Sequence, residues 1–191
     1  MAVRRLPVSL VILATVFALV VAVAVALVLR DDTSPASEDA ATEMELTPAG
    51  ELPESTAEVQ LVALDGGADR TVGELAGTPL VLNFFASWCA PCIEEMPAFE
   101  QVHQSLGGEV TIVGVAYRDA PADALDTVER TGVTYSAYSD PEGSALTYFG
   151  GLSMPATVFI DAAGEVVEVH SGALTERQLR DNLQTHLGIG P

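Results

Sequence analysis

Phe84-Phe85-Ala86-Ser87-Trp88-Cys89-Ala90-Pro91-Cys92 is the stretch that decides the fold, and it holds the only two cysteines of the 191-residue chain. The run Leu80–Phe85 that leads into it is short and rich in apolar and aromatic residues, which predicts a buried strand. From Pro91 onward, apolar residues recur at three- and four-residue spacing and predict a helix that ends at Gly107-Gly108. The residues of this apolar stripe are Cys92, Met96, Phe99, Val102 and Leu106.

The two cysteines stand at the junction of the predicted strand and helix. Cys89 falls at the helix N-terminus, where unpaired N–H groups and the positive end of the helix dipole favour a thiolate. A thiolate is the nucleophile in disulfide exchange. Cys92 lies one turn further, on the apolar stripe, and is predicted to be the more buried cysteine. We therefore expect Cys89 to attack and Cys92 to resolve the mixed disulfide by closing a Cys89–Cys92 disulfide.

Two other uses of a Cys-x-x-Cys pair compete with redox chemistry. A four-ligand zinc site needs two further Cys or His ligands at a recognisable spacing, whereas His103, His170 and His186 are scattered singly. A purely structural disulfide across two intervening residues restrains very little chain. Redox chemistry is therefore favoured, and no metal ligand is assigned.

The segment Trp88-Cys89-Ala90-Pro91-Cys92 after an apolar strand resembles the active site of the thioredoxin superfamily. The flanking Leu82-Asn83-Phe84-Phe85 and Glu94-Glu95-Met96-Pro97 are similar to the TlpA/ResA-like branch, over about residues 59–188. That branch contains membrane-anchored extracytoplasmic thiol-disulfide oxidoreductases, many of which serve cytochrome c maturation. The resemblance implies an α/β thioredoxin fold, with a central mixed β-sheet flanked by helices and an inserted strand–helix unit.

The N-terminal residues predict a single transmembrane helix. Arg4 and Arg5 precede an uncharged run of 24 residues, 6–29. At 1.5 Å per residue such a helix reaches about 36 Å, enough to cross a hydrocarbon core of about 30 Å. The run is longer than a signal-peptide core and ends in a poor cleavage site. We expect an uncleaved anchor in the cell membrane, with residues 1–5 cytoplasmic and the catalytic domain extracytoplasmic, on the periplasmic or outer face.

The segment 30–58 is predicted to be a disordered acidic linker. Nine acidic residues and no lysine or arginine occur between positions 31 and 58, together with several prolines. The remaining residues, 59–191, fit one thioredoxin-like domain with 18 acidic and 5 basic residues, a net charge of −13. Such a charge argues against nucleic acid or an anionic membrane surface as a partner.

The rest of the domain alternates predicted strands and helices. Strands are predicted at 59–64, 110–117, 134–139, 156–161 and 165–171, helices at 121–131, 144–149 and 175–187, and a connector at 71–77. Asp119 and Thr175 are interpreted as N-caps of the helices that follow them. The strand 134–139 and the helix 144–149 lie where TlpA/ResA-like proteins carry their inserted unit.

Met154-Pro155 stands directly before the strand predicted at 156–161. In the thioredoxin superfamily this proline is cis and packs beside the active-site disulfide, and its neighbour's backbone binds the substrate chain. The resemblance therefore implies substrate-binding roles for Met154 and Pro155. Met154 occupies a position that is often threonine in close relatives and that tunes redox potential. Trp88 is expected to shield the disulfide and shape the docking surface, with simple packing as the alternative.

Cys92 needs a base, because a buried thiol resists ionisation. Plain thioredoxins have a buried aspartate six residues before the first cysteine, where this chain has Asn83, which cannot titrate. The TlpA/ResA-like pattern instead has an acid three residues after the second cysteine, and Glu95 stands there. Because Cys92 and Glu95 share one helix side, Glu95 is the candidate for proton transfer or for tuning the pKa of the thiol. Glu94 is interpreted as a solvated acid.

The expected function is thiol–disulfide exchange outside the cytoplasm, without a bound cofactor. Because that environment is oxidising, a reductant there needs a membrane electron donor, and its clients are proteins with disulfides such as apocytochrome c. The Ala90-Pro91 pair carries no cation that stabilises the Cys89 thiolate, which favours a reductant over a strong oxidant. An oxidant that introduces disulfides into secreted proteins is the main alternative, and a copper-binding or copper-delivery protein is a less favoured one.

Overall fold

The computed structural model describes residues 55–190. The predicted cytoplasmic tail, the predicted anchor and most of the predicted linker fall outside these residues. Among the helices of residues 55–190, none combines the length and the apolar character needed to cross a bilayer. The described chain opens with a turn of 3-10 helix, Thr56–Glu58, at the end of the segment predicted to be a linker.

Strands and helices alternate through the described residues. The strands are β1 (Gln60–Ala63), β2 (Arg70–Thr71), β3 (Leu80–Phe85), β4 (Thr111–Tyr117), β5 (Ala137–Asp140), β6 (Ala156–Ile160) and β7 (Val166–Ser171). The helices are α1 (Val72–Leu75), α2 (Ala90–Leu106), α3 (Pro121–Thr131), α4 (Ser144–Tyr148) and α5 (Glu176–Asn182), the last continuing as π-helix over Leu183–Leu187.

The strands form one mixed sheet in the order β2-β1-β5-β4-β3-β6-β7. β3 pairs with β4 and β4 with β5 in parallel, and the other neighbours are antiparallel. Every residue of β3 is buried, because helices cover both of its faces. On one face Phe85 packs with Met96 of α2, and on the other Leu82 packs with Leu146 of α4. The predicted mixed sheet with flanking helices is therefore confirmed.

Most predicted elements agree with the structure to within two residues, and the predicted strand 134–139 is the clearest exception. The strand forms at Ala137–Asp140 instead, where it pairs with β4 and β1. Thr134 does not join the ladder because its N–H and hydroxyl both donate to the Glu100 carboxylate on α2, at 2.7 Å each. The predicted connector 71–77 contains α1, and Thr71 caps that helix through a capping box with Glu74.

The inserted unit, β5 and α4, is joined by the buried Asp140. Its carboxylate accepts the N–H groups of Ala145 at 3.2 Å and Leu146 at 3.0 Å, which otherwise have no partner at the start of the helix.

Asp140→Ala is expected to lower the free energy of unfolding by about 1–3 kcal/mol, because two buried donors lose their acceptor. Urea denaturation followed by circular dichroism measures this change. The exposed Asp181→Ala is the control, with an expected change below about 0.5 kcal/mol. Equal stabilities of the two variants contradict the role given to Asp140.

Candidate active site

A four-residue turn connects the central strand β3 to helix α2. The N–H of Cys89 donates to the carbonyl of Ala86 at 3.0 Å, which closes the turn. Cys89 is the N-cap residue of α2, and its carbonyl accepts from Cys92 at 3.1 Å and from Ile93 at 3.2 Å. Pro91 lies in the first turn of the helix, where its missing N–H leaves no bond unmade. The predicted helix start and the αL residue Gly107 at its end are both confirmed.

Cys89 and Cys92 form a disulfide with a Cα–Cα distance of 5.3 Å. Cys89 is 5% exposed and Cys92 is fully buried, so the order of burial is the one predicted. The adjacent Trp88 is 60% exposed, which leaves most of its indole free to contact another molecule. Of the two cysteines, Cys89 is therefore the more accessible to another molecule.

Met154 and Pro155 lie beside this turn. The Met154–Pro155 peptide bond is cis, as predicted. Because Ala156 pairs with Phe84 in the antiparallel β3–β6 ladder, the residues before Ala156 extend past the same end of the sheet as the active-site turn. Pro155 is buried and Met154 half-buried. Within residues 55–190 the N–H and C=O of Met154 form no hydrogen bond.

Glu95 lies three residues after Cys92 on α2 and is buried, only 3% exposed. One carboxylate oxygen accepts from Asn83 Nδ2 at 2.8 Å and the other from the Leu174 N–H at 2.7 Å. Burial raises the pKa of Glu95 to about 7, although both hydrogen bonds act in the opposite direction. Asn83 stands where plain thioredoxins have a buried aspartate. Here it cannot titrate, and it binds the carboxylate of Glu95 instead. A carboxyl with this pKa exchanges protons readily at neutral pH.

Asp119 does not cap helix α3, so that prediction is wrong. The N-cap of α3 is Ala120, which makes no side-chain capping bond. The Asp119 carboxylate instead accepts from the N–H of Ser87 at 2.6 Å and from its hydroxyl at 2.8 Å. The sequence does contain a signal for this contact, because parallel strands such as β3 and β4 end at the same edge of a sheet. The Thr175 cap is confirmed, as a capping box with Gln178.

The contact between Leu174 and Glu95 was not predicted either. The donor is a backbone N–H that lies 79 residues from Glu95 in sequence, and any residue other than proline supplies one. No residue-type pattern could therefore have identified it.

The three histidines lie on separate elements. His103 of α2 meets the Tyr135 ring edge-on, with ring centroids 5.8 Å apart, and His186 lies 6.3 Å from the Phe159 ring. His170 is on the edge strand β7. Over residues 55–190, no three His, Cys, Asp or Glu side chains group in a way that could hold a metal ion.

A Cys-x-x-Cys disulfide at a helix N-terminus, a buried acid below it and a cis proline beside it, on a mixed sheet, define a thioredoxin-fold protein of the redox class. Comparison with known families agrees with this class. The Redoxin family model matches residues 45–187, and the chain belongs to that family.

Among curated proteins, the chain is 37% identical over 111 residues to the thiol:disulfide interchange protein DsbE of Xylella fastidiosa strain Temecula1. The match spans 58% of this chain and 55% of that relative, so the chain covers about half of its length. The chain is also 29% identical over 119 residues to the thiol-disulfide oxidoreductase ResA of Halalkalibacterium halodurans, spanning 62% and 68% of the two chains. These relatives confirm the TlpA/ResA-like resemblance.

Solved structures agree. MTB DsbF, solved in mixed oxidised and reduced forms, superposes with a TM-score of 0.63 at 32% identity, over 71% of this chain and 98% of that one. StoA from Bacillus subtilis superposes with a TM-score of 0.57 at 22% identity, over 68% and 98%, a likeness that concerns the fold alone.

Proposed function

We propose that this protein is a thiol-disulfide oxidoreductase that reduces disulfides in client proteins through the Cys89/Cys92 couple. The observation that carries the proposal is the Cys89–Cys92 disulfide at the N-terminus of α2, with the buried Glu95 one turn beyond Cys92. The names of the relatives, thiol:disulfide interchange protein and thiol-disulfide oxidoreductase, support the same chemistry.

Each turnover moves two electrons from the dithiol to the client. The Cys89 thiolate attacks one sulfur of the client disulfide, and the other client sulfur leaves as a thiolate that takes a proton from water. Cys92 then gives its proton to Glu95, and its sulfur attacks Cys89. The second client thiol is released and the Cys89–Cys92 disulfide forms. Glu95 returns its proton to the departing thiolate or to solvent, so protons and electrons balance.

The client chain binds across the turn and the Met154-Pro155 segment. The unpaired N–H and C=O of Met154 hydrogen-bond an extended client backbone, and the exposed Trp88, next to Cys89 in the turn, contacts the client as well. Pro155 holds Met154 in place from within the core. No cofactor takes part, because the electrons reside in the two sulfurs.

The domain acts outside the cytoplasm, tethered to the membrane by residues 6–29. The length of that uncharged run and the arginines before it support the anchor and its orientation. A reductant in that oxidising space takes its electrons from a membrane donor, and apocytochrome c, with its Cys-x-x-Cys-His haem site, is the client class proposed.

The reduction potential of the couple is expected to lie below about −180 mV, the value for protein disulfide isomerase. The measurement equilibrates the full-length protein in detergent with glutathione or dithiothreitol buffers and follows the redox state through Trp88, its only tryptophan. A potential near −120 mV, the range of strong oxidants, contradicts the proposed direction and makes disulfide insertion the function instead.

A further inference from the structure

Within residues 55–190, one side chain from another element, Asp119, hydrogen-bonds the active-site turn. The turn Ala86–Cys89 is closed at its ends by the bond from the Cys89 N–H to the Ala86 carbonyl. Its central residues are Ser87 and Trp88, and Trp88 is too exposed for packing to fix it. The Asp119 carboxylate takes both donors of Ser87, the N–H at 2.6 Å and the hydroxyl at 2.8 Å. These are charge-assisted bonds, which are stronger than neutral ones.

Asp119 is itself aimed at the turn by the residue before it. Arg118 has a φ of 45°, in the left-handed region that a non-glycine residue adopts only when its surroundings impose it. Its N–H donates to the Asp140 carbonyl at 3.0 Å, and its Nε donates to the Glu142 carbonyl at 2.9 Å. A Cβ on Gly143 would come within 2.6 Å of Arg118 Nε, so the glycine leaves room for this arrangement.

We propose that Asp119 is a positioning residue for the thiol–disulfide chemistry: it fixes Ser87 so that Trp88 and the Cys89 sulfur are presented to the client in one orientation. The inference deepens the proposed function and rests on it. It also connects the inserted unit to the active site, since Asp140 and Glu142, which belong to β5 and the loop after it, hold the residue that aims Asp119.

The charge of Asp119 and its hydrogen bonds have opposite expected effects on Cys89. A carboxylate near the turn disfavours a neighbouring thiolate, so removing only the charge should not slow the attack by Cys89. Asp119→Asn removes the charge but keeps a side chain that can accept from the Ser87 N–H and donate to its hydroxyl. In that orientation it loses the bond that Asp119 Oδ1 accepts from the Ala120 N–H at 3.1 Å, which Asp119→Ala loses as well. Asp119→Ala removes both the charge and the hydrogen bonds with Ser87. The difference between the two variants therefore isolates the positioning effect.

A matched control exists at the opposite end of β6. Asp161 also stabilises a turn through its side chain, accepting from the N–H groups of Ala163 and Glu165 at 2.9 Å each. Asp161→Ala makes the same chemical change in a turn that is far along the sheet from Cys89. This control measures how the loss of a turn-stabilising aspartate away from the active site affects the reaction rate and the anisotropy.

The experiment uses reduced full-length protein in detergent and two readouts. The first is the rate at which Cys89 attacks 5,5′-dithiobis(2-nitrobenzoate) and releases one thionitrobenzoate; Cys92 then closes the Cys89–Cys92 disulfide and releases the other thionitrobenzoate. The second is the fluorescence anisotropy of Trp88, the only tryptophan. Asp119→Ala is expected to lower the rate about tenfold and to lower the anisotropy, whereas Asp119→Asn stays within about twofold of wild type. Asp161→Ala is expected to match wild type in both readouts.

Two results overturn the inference: a wild-type rate and anisotropy in Asp119→Ala, or the same loss in Asp161→Ala. If Asp119→Ala does not fold, Ser87→Ala, which removes only the hydroxyl donor, must still lower the anisotropy, and a wild-type value overturns the inference. Neither readout needs a client or an electron donor. A reduction potential in the oxidant range therefore removes the proposed function while leaving this test intact.

Discussion

Cys92→Ser is expected to trap client proteins as stable mixed disulfides on Cys89 and to lower turnover by at least about 10³-fold, the order seen when a residue of a covalent mechanism is removed. The first attack needs only Cys89, which lies at the helix N-terminus and is the more exposed cysteine. The release step needs the sulfur of Cys92, and a serine hydroxyl cannot displace a thiolate from a disulfide. The intermediate therefore accumulates.

Cys89→Ser is the matched control, because it removes the attacking sulfur and leaves the buried one. It is expected to lose turnover to the same extent but to trap nothing. Non-reducing electrophoresis after acid quenching, followed by mass spectrometry of the dithiothreitol-released proteins, measures the trapped fraction and identifies the client class. Trapping through Cys89→Ser and not through Cys92→Ser would falsify the assignment of attack to Cys89.

The elements with a strong periodic pattern were predictable from sequence. The strand Leu80–Phe85 and the helix that ends at Leu106 were predicted because burial on both faces and a regular apolar stripe leave a clear signal. The start of β5 was not, because Thr134 is held by Glu100, a residue 34 positions earlier on another element. Propensity acts locally, and such a distant bond overrides it.

The active site also contains residues that could be predicted from sequence and residues that could not. Cys89, Cys92 and Glu95 lie within one stretch, so their spacing and the family resemblance place them together. The groups that hold this stretch in position come from elsewhere: Asp119 from the end of β4 and the Leu174 N–H from the chain just before α5. Only the folded chain brings Asp119 and the Leu174 N–H to the active site. A sequence motif therefore identifies the two cysteines and Glu95 but not the groups that position them.

Glu95→Gln is expected to slow the resolving step by about 100-fold or more at pH 7, the lower end of the range for loss of a general acid–base residue. The wild-type rate of resolution should show an inflection near pH 7, because burial raises the pKa of Glu95 to about 7. The variant should lose this inflection. Stopped-flow measurement of mixed-disulfide decay against pH tests this, with the exposed Glu94→Gln as the control that keeps the wild-type profile.

Glu95→Gln, which should slow the reaction, should at the same time raise the free energy of unfolding at high pH. The folded state holds the Glu95 proton more tightly than the unfolded state, so stability from this group falls as pH rises from 4.5 to about 7. A shift of that size corresponds to about 3 kcal/mol of stability, which is fully present below pH 4.5 and fully lost above pH 7. Glutamine does not titrate. The fold can accept it because Asn83 Oδ1, unbonded within residues 55–190, can receive the new amide N–H if the Asn83 amide turns over.

Glu95→Gln should therefore be more stable than wild type at pH 8, by up to about 3 kcal/mol, and close to it at pH 4.5. Urea denaturation of both oxidised proteins at the two pH values measures the difference, and contributions from other titrating groups cancel in it. A slow variant that is also less stable at pH 8 indicates damage to the packing around Leu174 and Asn83. A variant that is slower yet more stable supports the loss of a buried acid whose charge is costly to the fold and which transfers the proton of Cys92.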